Sequence, residues 1–501
     1  MKRDKGKKNE KNLKRKKKSE LTEDDITVVD KDVAKKAVVA TGIGNAMEWF
    51  DFGIYSYLAA TIGKIFFPEM EGSTQLVFSF ATFSVAFLVR PLGGMFFGSL
   101  GDKIGRKKVL AMTLILMAFA TLSIGLIPTY SSIGLTAPIL LLAARLIQGF
   151  STGGEYSGAM TFIAESTPDS RRGVMSSGLE VGTLIGYIGG SGIVTLLTFL
   201  LGSETMLDWG WRIPFLIAAP IGVIGFYLRT HLEESPAFEK MEQQKEASED
   251  ESRHVPLKDL VLYHRKALLM GLILVLFYNV IDYTILTYMP SHLTAVLGYG
   301  QTKGLLLILI VMFIMIPIVF LMGHFGDRIG NKRIIQSSLI GFILLAVPSF
   351  MLINSNVTAW VFIGIMIMAI LLAALMGTMP SQLPSLFFTE VRYGGLAITY
   401  NISVSLFGGT APLVVSWLVD ISGSNLAPAF YVIFVALIGI VVVSLFLTKT
   451  SGKPLRGSPP AIAAEENLLE AIDDTNEELW WTDEKDRIDK EKNNNDDNQT
   501  Q

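Results

Sequence analysis

Twelve long apolar segments constrain the fold of this chain more than any other feature of its sequence. A helix needs about 20 apolar residues to cross the hydrocarbon core of a bilayer. The segments reach about that length and lie near residues 38–61, 76–100, 109–127, 138–163, 174–201, 211–229, 267–290, 304–322, 334–353, 359–387, 394–419 and 428–448. Only 18% of the residues are charged, whereas soluble domains carry about 25%. The sequence therefore predicts an all-α integral membrane protein with twelve transmembrane helices, numbered here as spans 1 to 12.

The loops on the two sides of the membrane differ in their content of Lys and Arg. The loops that follow odd-numbered spans contain only Lys64 and Lys303. The other loops contain Lys103, Arg106, Lys107, Lys108, Arg171, Arg172, Arg328, Lys332, Arg333 and Arg392. Cationic loops stay in the cytoplasm, and an even number of spans places both termini on one side. We therefore expect a multi-pass protein of the cell membrane with both termini in the cytoplasm.

The pattern divides the chain into five regions. They are a basic N-terminal tail (1–36), a first six-helix bundle (37–229), a cytoplasmic linker (230–266), a second six-helix bundle (267–448) and an acidic C-terminal tail (449–501). The first 18 residues contain eleven Lys or Arg and two acids. Such a cationic segment attracts anionic lipid headgroups at a membrane surface, although a solvated tail explains the same composition.

A repeated motif relates the two halves of the chain. The sequence Gly98-Ser-Leu-Gly101-Asp102-Lys103-Ile104-Gly105-Arg106-Lys107-Lys108 recurs as Gly323-His-Phe-Gly326-Asp327-Arg328-Ile329-Gly330-Asn331-Lys332-Arg333. Each copy follows the second span of its half. Glycines permit tight turns and close helix approach, and an aspartate can cap a helix or pair with a cation. We expect two pseudo-symmetric bundles with a substrate path between them, and two gating loops formed by Gly98, Asp102, Gly105 and Arg106 and by Gly323, Asp327, Arg328 and Gly330.

Charged residues within the spans are candidates for the functional site, because a charge in a membrane is costly and is usually retained for function. They are Glu48, Asp51, Arg90, Arg145, Glu155, Glu180 and Asp282. Glu48 and Asp51 lie one turn apart on span 1, where burial and mutual repulsion favour binding of a proton. We expect this pair to couple transport to protons, with Asp282 as the second candidate. A buried ion pair that fixes helix packing is the alternative for each charge.

The balance of these charges indicates the class of substrate. Five acids against two arginines disfavour a dicarboxylate and suit a zwitterion. Arg145 would bind the carboxylate end, while Glu155 and aromatic rings would bind the ammonium end. The principal aromatic candidates are Trp49, Tyr55, Tyr278, Tyr283 and Tyr400, although any single ring more often serves packing or lipid contact. Further candidates are Phe50, Tyr187, Tyr288 and Trp417.

Several classes of function are disfavoured by what the sequence lacks. The chain has no cysteine and only five scattered histidines, which argues against a disulfide framework, a thiolate zinc site and a histidine metal site. No phosphate-binding loop, nucleophile elbow or dinucleotide fingerprint occurs in a suitable setting. We expect no enzymatic activity, no cofactor and no metal. Nucleic acid is not an expected partner, because most of the chain must face lipid.

The repeated loop resembles the signature of the major facilitator superfamily, and the likeness extends over about 35–450. Four further motifs, in order along the chain, resemble the metabolite:H⁺ symporter family and its osmosensing proline/betaine transporters. They are Gly44-Asn-Ala-Met-Glu48-Trp49-Phe50-Asp51-Phe52, Phe87-Leu-Val-Arg90-Pro91-Leu-Gly93-Gly94, Gln148-Gly149-Phe-Ser-Thr-Gly153-Gly154-Glu155-Tyr156 and Asp208-Trp-Gly-Trp211-Arg212-Ile-Pro214. One departure is Asn331, which stands where the second loop usually carries a cation.

This resemblance implies proton-coupled import of zwitterionic solutes such as glycine betaine and proline, activated by hyperosmotic stress. Two alternatives remain open. One is a symporter of the same family for a carboxylate metabolite such as 2-oxoglutarate or citrate, and the other is a membrane osmosensor that does not transport.

Overall fold

The computed structural model describes residues 26–104, 106–153, 155–218, 220, 222 and 257–463. The expected lipid contact of residues 1–18 and most of the expected linker and acidic tail lie outside these residues. So do the side chains at 33, 98–99, 101–111, 154–155 and 257–259. In the first predicted gating loop, the backbone of Gly98 and Asp102 lies in the last turns of span 2 and that of Arg106 begins span 3. Gly105, the side chains of Asp102 and Arg106, and the side chain of Glu155 lie outside the described residues.

The described residues are almost entirely helical. In the first half, span 1 comprises Lys31–Tyr57 and Ala59–Phe66, span 2 Thr74–Leu88 and Arg90–Ile104, and span 3 Arg106–Leu126. Span 4 comprises Thr136–Ser151 and Glu155–Glu165, span 5 Arg172–Thr205, and the described part of span 6 is helical over 212–218. In the second half, span 7 comprises Arg265–Asp282 and the π-helical turns Tyr283–Tyr288 and His292–Val296, span 8 Gln301–Phe325, and span 9 Asn331–Ile353. Span 10 comprises Thr358–Gln382, span 11 Thr389–Ser403 and Ala411–Ser422, and span 12 Ala427–Phe446.

Seven helical segments among the described residues are long and apolar enough to cross a membrane by themselves. The segment Gln301–Ile353 contains two spans. Large apolar side chains such as Phe119, Leu200, Leu344 and Phe434 are exposed on the outside of the helices, where a lipid solvent would cover them. The predicted all-α membrane fold is confirmed.

Breaks within spans are the main difference from the predicted continuous helices. Span 2 is interrupted at Val89, immediately before Arg90-Pro91. Proline has no N–H for the helical ladder, and its ring crowds the carbonyl group one turn earlier. Span 4 is interrupted after Ser151, where Gly153 and Gly154 follow. The breaks expose carbonyl groups inside the bundle, and one of them is used by the site described below.

The two halves meet along two seams. Span 5 packs against spans 8 and 10, and span 2 packs against span 11. We call the side at which span 1 begins and span 12 ends the terminal side, and the opposite one the far side. On the terminal side a short strand, Thr27–Val29, pairs in parallel with Ala461–Ala463, in the register Thr27 with Ala461. The sequence did not predict these strands, because they are three residues long and lie more than 400 residues apart.

Candidate functional site

Six of the charged side chains predicted within the spans are enclosed between the helices. Each is no more than 5% exposed: Glu48, Asp51, Arg90, Arg145, Glu180 and Asp282. An isolated charge in such surroundings is unfavourable, so each one is expected to have a specific partner. The partners separate the six residues into four groups.

The first group is an ion pair between Arg90 of span 2 and Glu48 of span 1. Arg90 Nε also donates to the carbonyl oxygen of Thr152 at 3.3 Å, which is available because span 4 is broken there. The guanidinium carbon lies 5.7 Å from the centre of the Phe87 ring and 5.8 Å from that of Phe52. Arg90 thus connects spans 1, 2 and 4 at one point.

Spans 2 and 4 approach closely enough for this contact because glycines line their interface. A Cβ atom on Gly153 would lie 2.5 Å from the carbonyl oxygen of Arg90, well inside van der Waals contact. The glycine motifs singled out in the sequence therefore set the distance between the two helices that hold Arg90.

The second group joins Asp51 to Arg145 by a chain of hydrogen bonds. Thr121 Oγ1 lies 3.2 Å from Asp51 Oδ2 and accepts a hydrogen bond from Gln148 Nε2 at 3.0 Å. Arg145 Nη1 donates to Gln148 Oε1. We call Asp51, Thr121, Gln148 and Arg145 the relay. It lies within the first half, between spans 1, 3 and 4.

Arg145 is surrounded by aromatic rings. Its guanidinium carbon lies 4.2 Å from the ring centre of Tyr55, 5.0 Å from that of Phe83 and 5.4 Å from that of Phe52. Its Nη2 donates to the carbonyl oxygen of Phe83 at 3.3 Å, while its Nε has no hydrogen-bond partner among the described residues. Cation–π contact stabilises the desolvated cation and leaves one donor for a further acceptor.

The third group surrounds Asp282 of span 7, at the junction of the two halves. Within the part of the chain that the structure describes, its Oδ1 has no hydrogen-bond partner. Tyr57 and Tyr187 of the first half lie within electrostatic range of this carboxylate. The ring of Trp49 is 5.2 Å from that of Tyr187 and 5.7 Å from that of Tyr283. We call Asp282, Trp49, Tyr187 and Tyr283 the aromatic cage.

Two other polar atoms of the aromatic cage are also buried without a partner among the described residues, Trp49 Nε1 and Tyr283 OH. Buried polar groups in native proteins are usually hydrogen-bonded, so unpaired ones call for an explanation. Three of them in one cluster, with both a carboxylate and donors, are the chemistry expected of a site that receives a small polar ligand.

A fourth cluster bridges the halves beside the aromatic cage. Glu180 of span 5 accepts hydrogen bonds from the hydroxyls of Tyr156 in the first half and Tyr278 in the second. The rings of Tyr156 and Tyr400 are stacked, with centres 4.5 Å apart. Tyr278 and Tyr400, predicted to bind substrate, therefore lie at a contact between the halves.

The structure separates some residues that the sequence placed together. Glu48 and Asp51 do not share one partner: Glu48 pairs with Arg90, and Asp51 faces Thr121. Tyr55 packs against Arg145 of the relay. Trp417 is 50% exposed on the outer surface, so the proposal that it binds a cation finds no support in the structure.

Sequence reasoning missed the role of Thr121. In the sequence, Thr121 is a single hydroxyl residue within the apolar segment of span 3, and nothing in the pattern around it distinguishes it from other threonines. The pairing of Arg90 with Glu48 was also missed, because partners on different helices cannot be read from one-dimensional spacing.

On the terminal side, the second predicted gating loop holds the two halves together. Asp327 of the second half accepts hydrogen bonds from the backbone N–H groups of Gly173 at 2.6 Å and Val174 at 3.0 Å, at the start of span 5. It therefore caps a helix of the other half. Burial raises the pKa of Asp327 to about 6, although these two hydrogen bonds act to lower it.

The other residues of this loop have different surroundings. Gly323 packs against Gly173 and Ser177 of span 5, and Gly330 has a φ of 98°, which suits glycine at the turn before span 9. Arg328 is exposed.

A second contact between the halves joins Arg392 Nη1 to Glu165 Oε1 at 2.6 Å.

The far side is closed as well. Ser73 donates to Asp420, and Gln301 Nε2 donates to Thr61 Oγ1 at 3.2 Å. At the aromatic cage itself, the hydroxyls of Tyr187 and Thr287 join the two halves at 3.0 Å. The buried charges are therefore enclosed from both sides, as in an occluded state of a protein whose two halves move relative to each other.

Comparison with known proteins gives a consistent result. A family model described as the Major Facilitator Superfamily matches residues 41–409. A "Putative proline/betaine transporter" of Staphylococcus aureus (strain COL) is 46% identical over 467 residues, which cover 93% of this chain and 99% of that protein. The "Glycine betaine/proline/ectoine/pipecolic acid transporter OusA" of Dickeya dadantii (strain 3937) is 46% identical over 453 residues, or 90% of each chain.

A solved structure shares the fold. The proton:xylose symporter XylE, bound to 6-bromo-6-deoxy-D-glucose, superimposes with a TM-score of 0.67 over 85% of this chain and 98% of that one. The two sequences are 17% identical, so this likeness concerns the fold alone.

Proposed function

The chain belongs to the major facilitator superfamily, and we propose that it is a proton-coupled importer of zwitterionic compatible solutes, including glycine betaine and proline. The names of its relatives support this substrate class. The observation that carries it in the structure is the aromatic cage. There a buried carboxylate oxygen, Asp282 Oδ1, has no hydrogen-bond partner among the described residues and lies near aromatic rings of both halves.

The aromatic cage suits the cationic end of the solute. A quaternary ammonium group has no N–H to donate, so it is bound by negative charge and by the faces of aromatic rings. Asp282 supplies the charge, and Trp49, Tyr187 and Tyr283 supply the rings. Proline carries a secondary ammonium, which can in addition donate to Asp282 Oδ1. One site therefore accommodates both solutes.

We assign the carboxylate end to Arg145, whose Nε has no partner among the described residues. A carboxylate on Arg145 would offset the positive charge that otherwise stabilises ionised Asp51. Solute binding would then favour protonation of Asp51, and the two would cross the membrane together. Because Arg145 is covered by the rings of Tyr55, Phe52 and Phe83, this step requires a ring to move.

The relay accommodates both protonation states of Asp51. Thr121 Oγ1 is also 3.0 Å from the carbonyl oxygen of Met117. When Asp51 is ionised, the Thr121 hydroxyl donates to it. When Asp51 is protonated, it donates to Thr121, whose own proton turns to Met117. We therefore place the proton at Asp51, with Asp282 as the second candidate and Glu48 as a member of a packing ion pair.

Alternating access would arise from rocking of the two halves around these groups. We place the terminal side in the cytoplasm, as the distribution of Lys and Arg indicates. Opening to the cytoplasm breaks the contacts of Asp327 and Arg392 with the first half. Opening to the outside breaks the contact of Ser73 with Asp420.

The test is solute uptake by proteoliposomes with an imposed proton gradient, before and after an increase in external osmolality. Labelled betaine should accumulate, more strongly after the increase, and unlabelled betaine, proline and ectoine should compete. Competition by citrate or 2-oxoglutarate instead would support the carboxylate-metabolite alternative. A folded protein that accumulates no solute under either condition would support the osmosensor alternative.

A further inference from the structure

Residues 449–463, here called the C-terminal strap, cross the seam between the halves on the terminal side. The strap begins at the end of span 12 and is first fixed to the second half. Thr450 Oγ1 lies 3.1 Å from Ser385 Oγ and 3.2 Å from Gln382 Oε1. Ser451 Oγ accepts a hydrogen bond from the backbone N–H of Asn331 at 2.9 Å. This bond comes from the backbone, while the Asn331 side chain donates to Ser381 Oγ at 2.9 Å within the second half.

The strap then reaches the first half. Arg172 Nη1 donates to the carbonyl oxygen of Lys453 at 3.0 Å. The backbone N–H of Ala461 donates to Asp169 Oδ2 at 2.9 Å, and that of Thr27 donates to the carbonyl oxygen of Pro460 at 2.9 Å. The strand Ala461–Ala463 completes the contact by pairing with Thr27–Val29.

Arg392 links the strap to the contact between the halves. Its Nη2 donates to the carbonyl oxygen of Arg456 at 2.8 Å, and its Nη1 donates to Ser458 Oγ at 3.2 Å. The same guanidinium pairs with Glu165 of the first half. Because this side chain is fully buried, loss of the strap would remove hydrogen bonds that the cation needs.

The strap is also packed against the protein. Leu455 is 2% exposed, Ile462 7% and Ala463 6%. A segment tethered at both ends, with buried apolar side chains, resists separation of the surfaces that it joins.

We infer that the C-terminal strap fastens the two halves on the terminal side, and that its release from the first half is a required step each time the site opens there. Separation of the halves would move Asp169 and Thr27 away from Asn331 and Ser385, and a strap bound to all four cannot follow both. The strap would therefore set how often the occluded state opens on this side. This inference concerns closure and does not depend on which solute is carried.

The first experiment locks the strap. The chain contains no cysteine, so engineered pairs react without background. Thr27→Cys with Ala461→Cys joins register partners and ties the strap to the first half. The control, Thr389→Cys with Ser458→Cys, joins hydroxyl positions 2.8 Å apart and ties the strap to its own half. Oxidation should stop uptake in the first pair, reduction should restore it, and the control pair should continue to transport.

The second experiment releases the strap and needs no solute. Ser177→Cys is a reporter, because Ser177 is fully buried and lies beside Gly323 at the seam between spans 5 and 8. Its labelling by a maleimide applied from the terminal side measures opening. Thr27→Pro and Ala461→Pro each remove an N–H that holds the strap, and each should accelerate labelling at least threefold.

Two results would overturn the inference. One is undiminished uptake by the oxidised Thr27/Ala461 pair with its disulfide fully formed. The other is an unchanged labelling rate in both proline variants, each shown by gel filtration to be folded. Failure of betaine uptake in the unmodified protein would count against the proposed function, while the labelling experiment would still decide the role of the strap.

Discussion

Thr121 Oγ1 stands between two acceptors, 3.2 Å from Asp51 Oδ2 and 3.0 Å from the carbonyl oxygen of Met117. A hydroxyl has one proton, so it donates to one acceptor at a time. This position of Thr121 lets Asp51 gain or lose a proton without leaving a buried group unpaired.

Replacement of Thr121 by Val keeps the side-chain shape and removes the hydroxyl. A hydrogen bond to a charged group contributes about 1.5–3 kcal/mol, so proton-driven uptake should fall by roughly tenfold or more. Ser123→Ala is the control, because Ser123 lies on the same span and donates to the carbonyl oxygen of Phe119. Equal activity of Thr121→Val and Ser123→Ala would exclude Thr121 from the relay.

Asp51→Asn should separate solute movement from proton movement. A permanently neutral side chain imitates protonated Asp51, so exchange of labelled for unlabelled betaine should persist while accumulation on a proton gradient is lost. Asp282→Asn should instead reduce both activities, because it weakens the aromatic cage. If Asp51→Asn accumulates betaine normally, the proton is carried elsewhere.

Glu48→Gln is expected to act on stability. It leaves the Arg90 guanidinium buried without its counter-ion, which costs about 3–5 kcal/mol. The double variant Glu48→Gln with Arg90→Gln should recover most of this loss, as seen in thermal unfolding in detergent. A double variant that is less stable than both single variants would show that the pair is not a packing unit.

Trp49→Leu and Tyr187→Leu should weaken binding of betaine. A desolvated cation–π contact contributes about 1–2 kcal/mol, so the KM for betaine should rise by roughly five- to thirtyfold. Trp417→Leu, on the outer surface, should leave KM unchanged. An equal effect at Trp417 would point to general destabilisation rather than to the aromatic cage.

Asp327 should make closure of the terminal side depend on pH. Its pKa is raised to about 6 by burial, against an ordinary value of about 4 for an exposed carboxyl. The closed state therefore binds this proton more tightly than an open state with Asp327 exposed. Its stability should increase as pH falls through 6 towards 4 and should be lower above pH 6. Arg172 and His324 lie near enough to oppose the raised pKa.

The measurement is labelling of Ser177→Cys between pH 5 and 7.5. Each rate is divided by that of Lys35→Cys, whose exposed position corrects for thiol ionisation. The corrected rate should rise with pH, and Asp327→Asn should abolish the dependence. A dependence that survives in Asp327→Asn would assign it to another group.

The apolar segments were sufficient to predict the fold. A segment that crosses lipid must satisfy its backbone hydrogen bonds internally, so it forms a helix and can be recognised by the length of its apolar sequence. The helix breaks were less visible. Pro91 and the pair Gly153-Gly154 explain them afterwards, but many spans tolerate such residues without a break. Pro317 and Pro348 lie inside continuous helices of this same chain.

The sequence predicted which residues form the candidate site, but not how they are arranged. Asp51, Arg145 and Asp282 were identified because a charged side chain within a membrane span is energetically costly. The sequence could not show that Asp51 faces span 3 while Asp282 faces the other half, because the partner of a buried charge depends on helix packing. The strand pair was inaccessible for the same reason, since Thr27 and Ala461 meet only after all the helices have assembled.

The parallel pairing of Thr27–Val29 with Ala461–Ala463 also bears on how the protein opens to the far side. While that pairing holds, the halves are pinned together at one end of the bundle. Motion that separates Ser73 from Asp420 must then be a rotation of one half relative to the other about the paired strands. The small two-stranded sheet would thus define the axis of this rotation and prevent the halves from moving apart along their whole length.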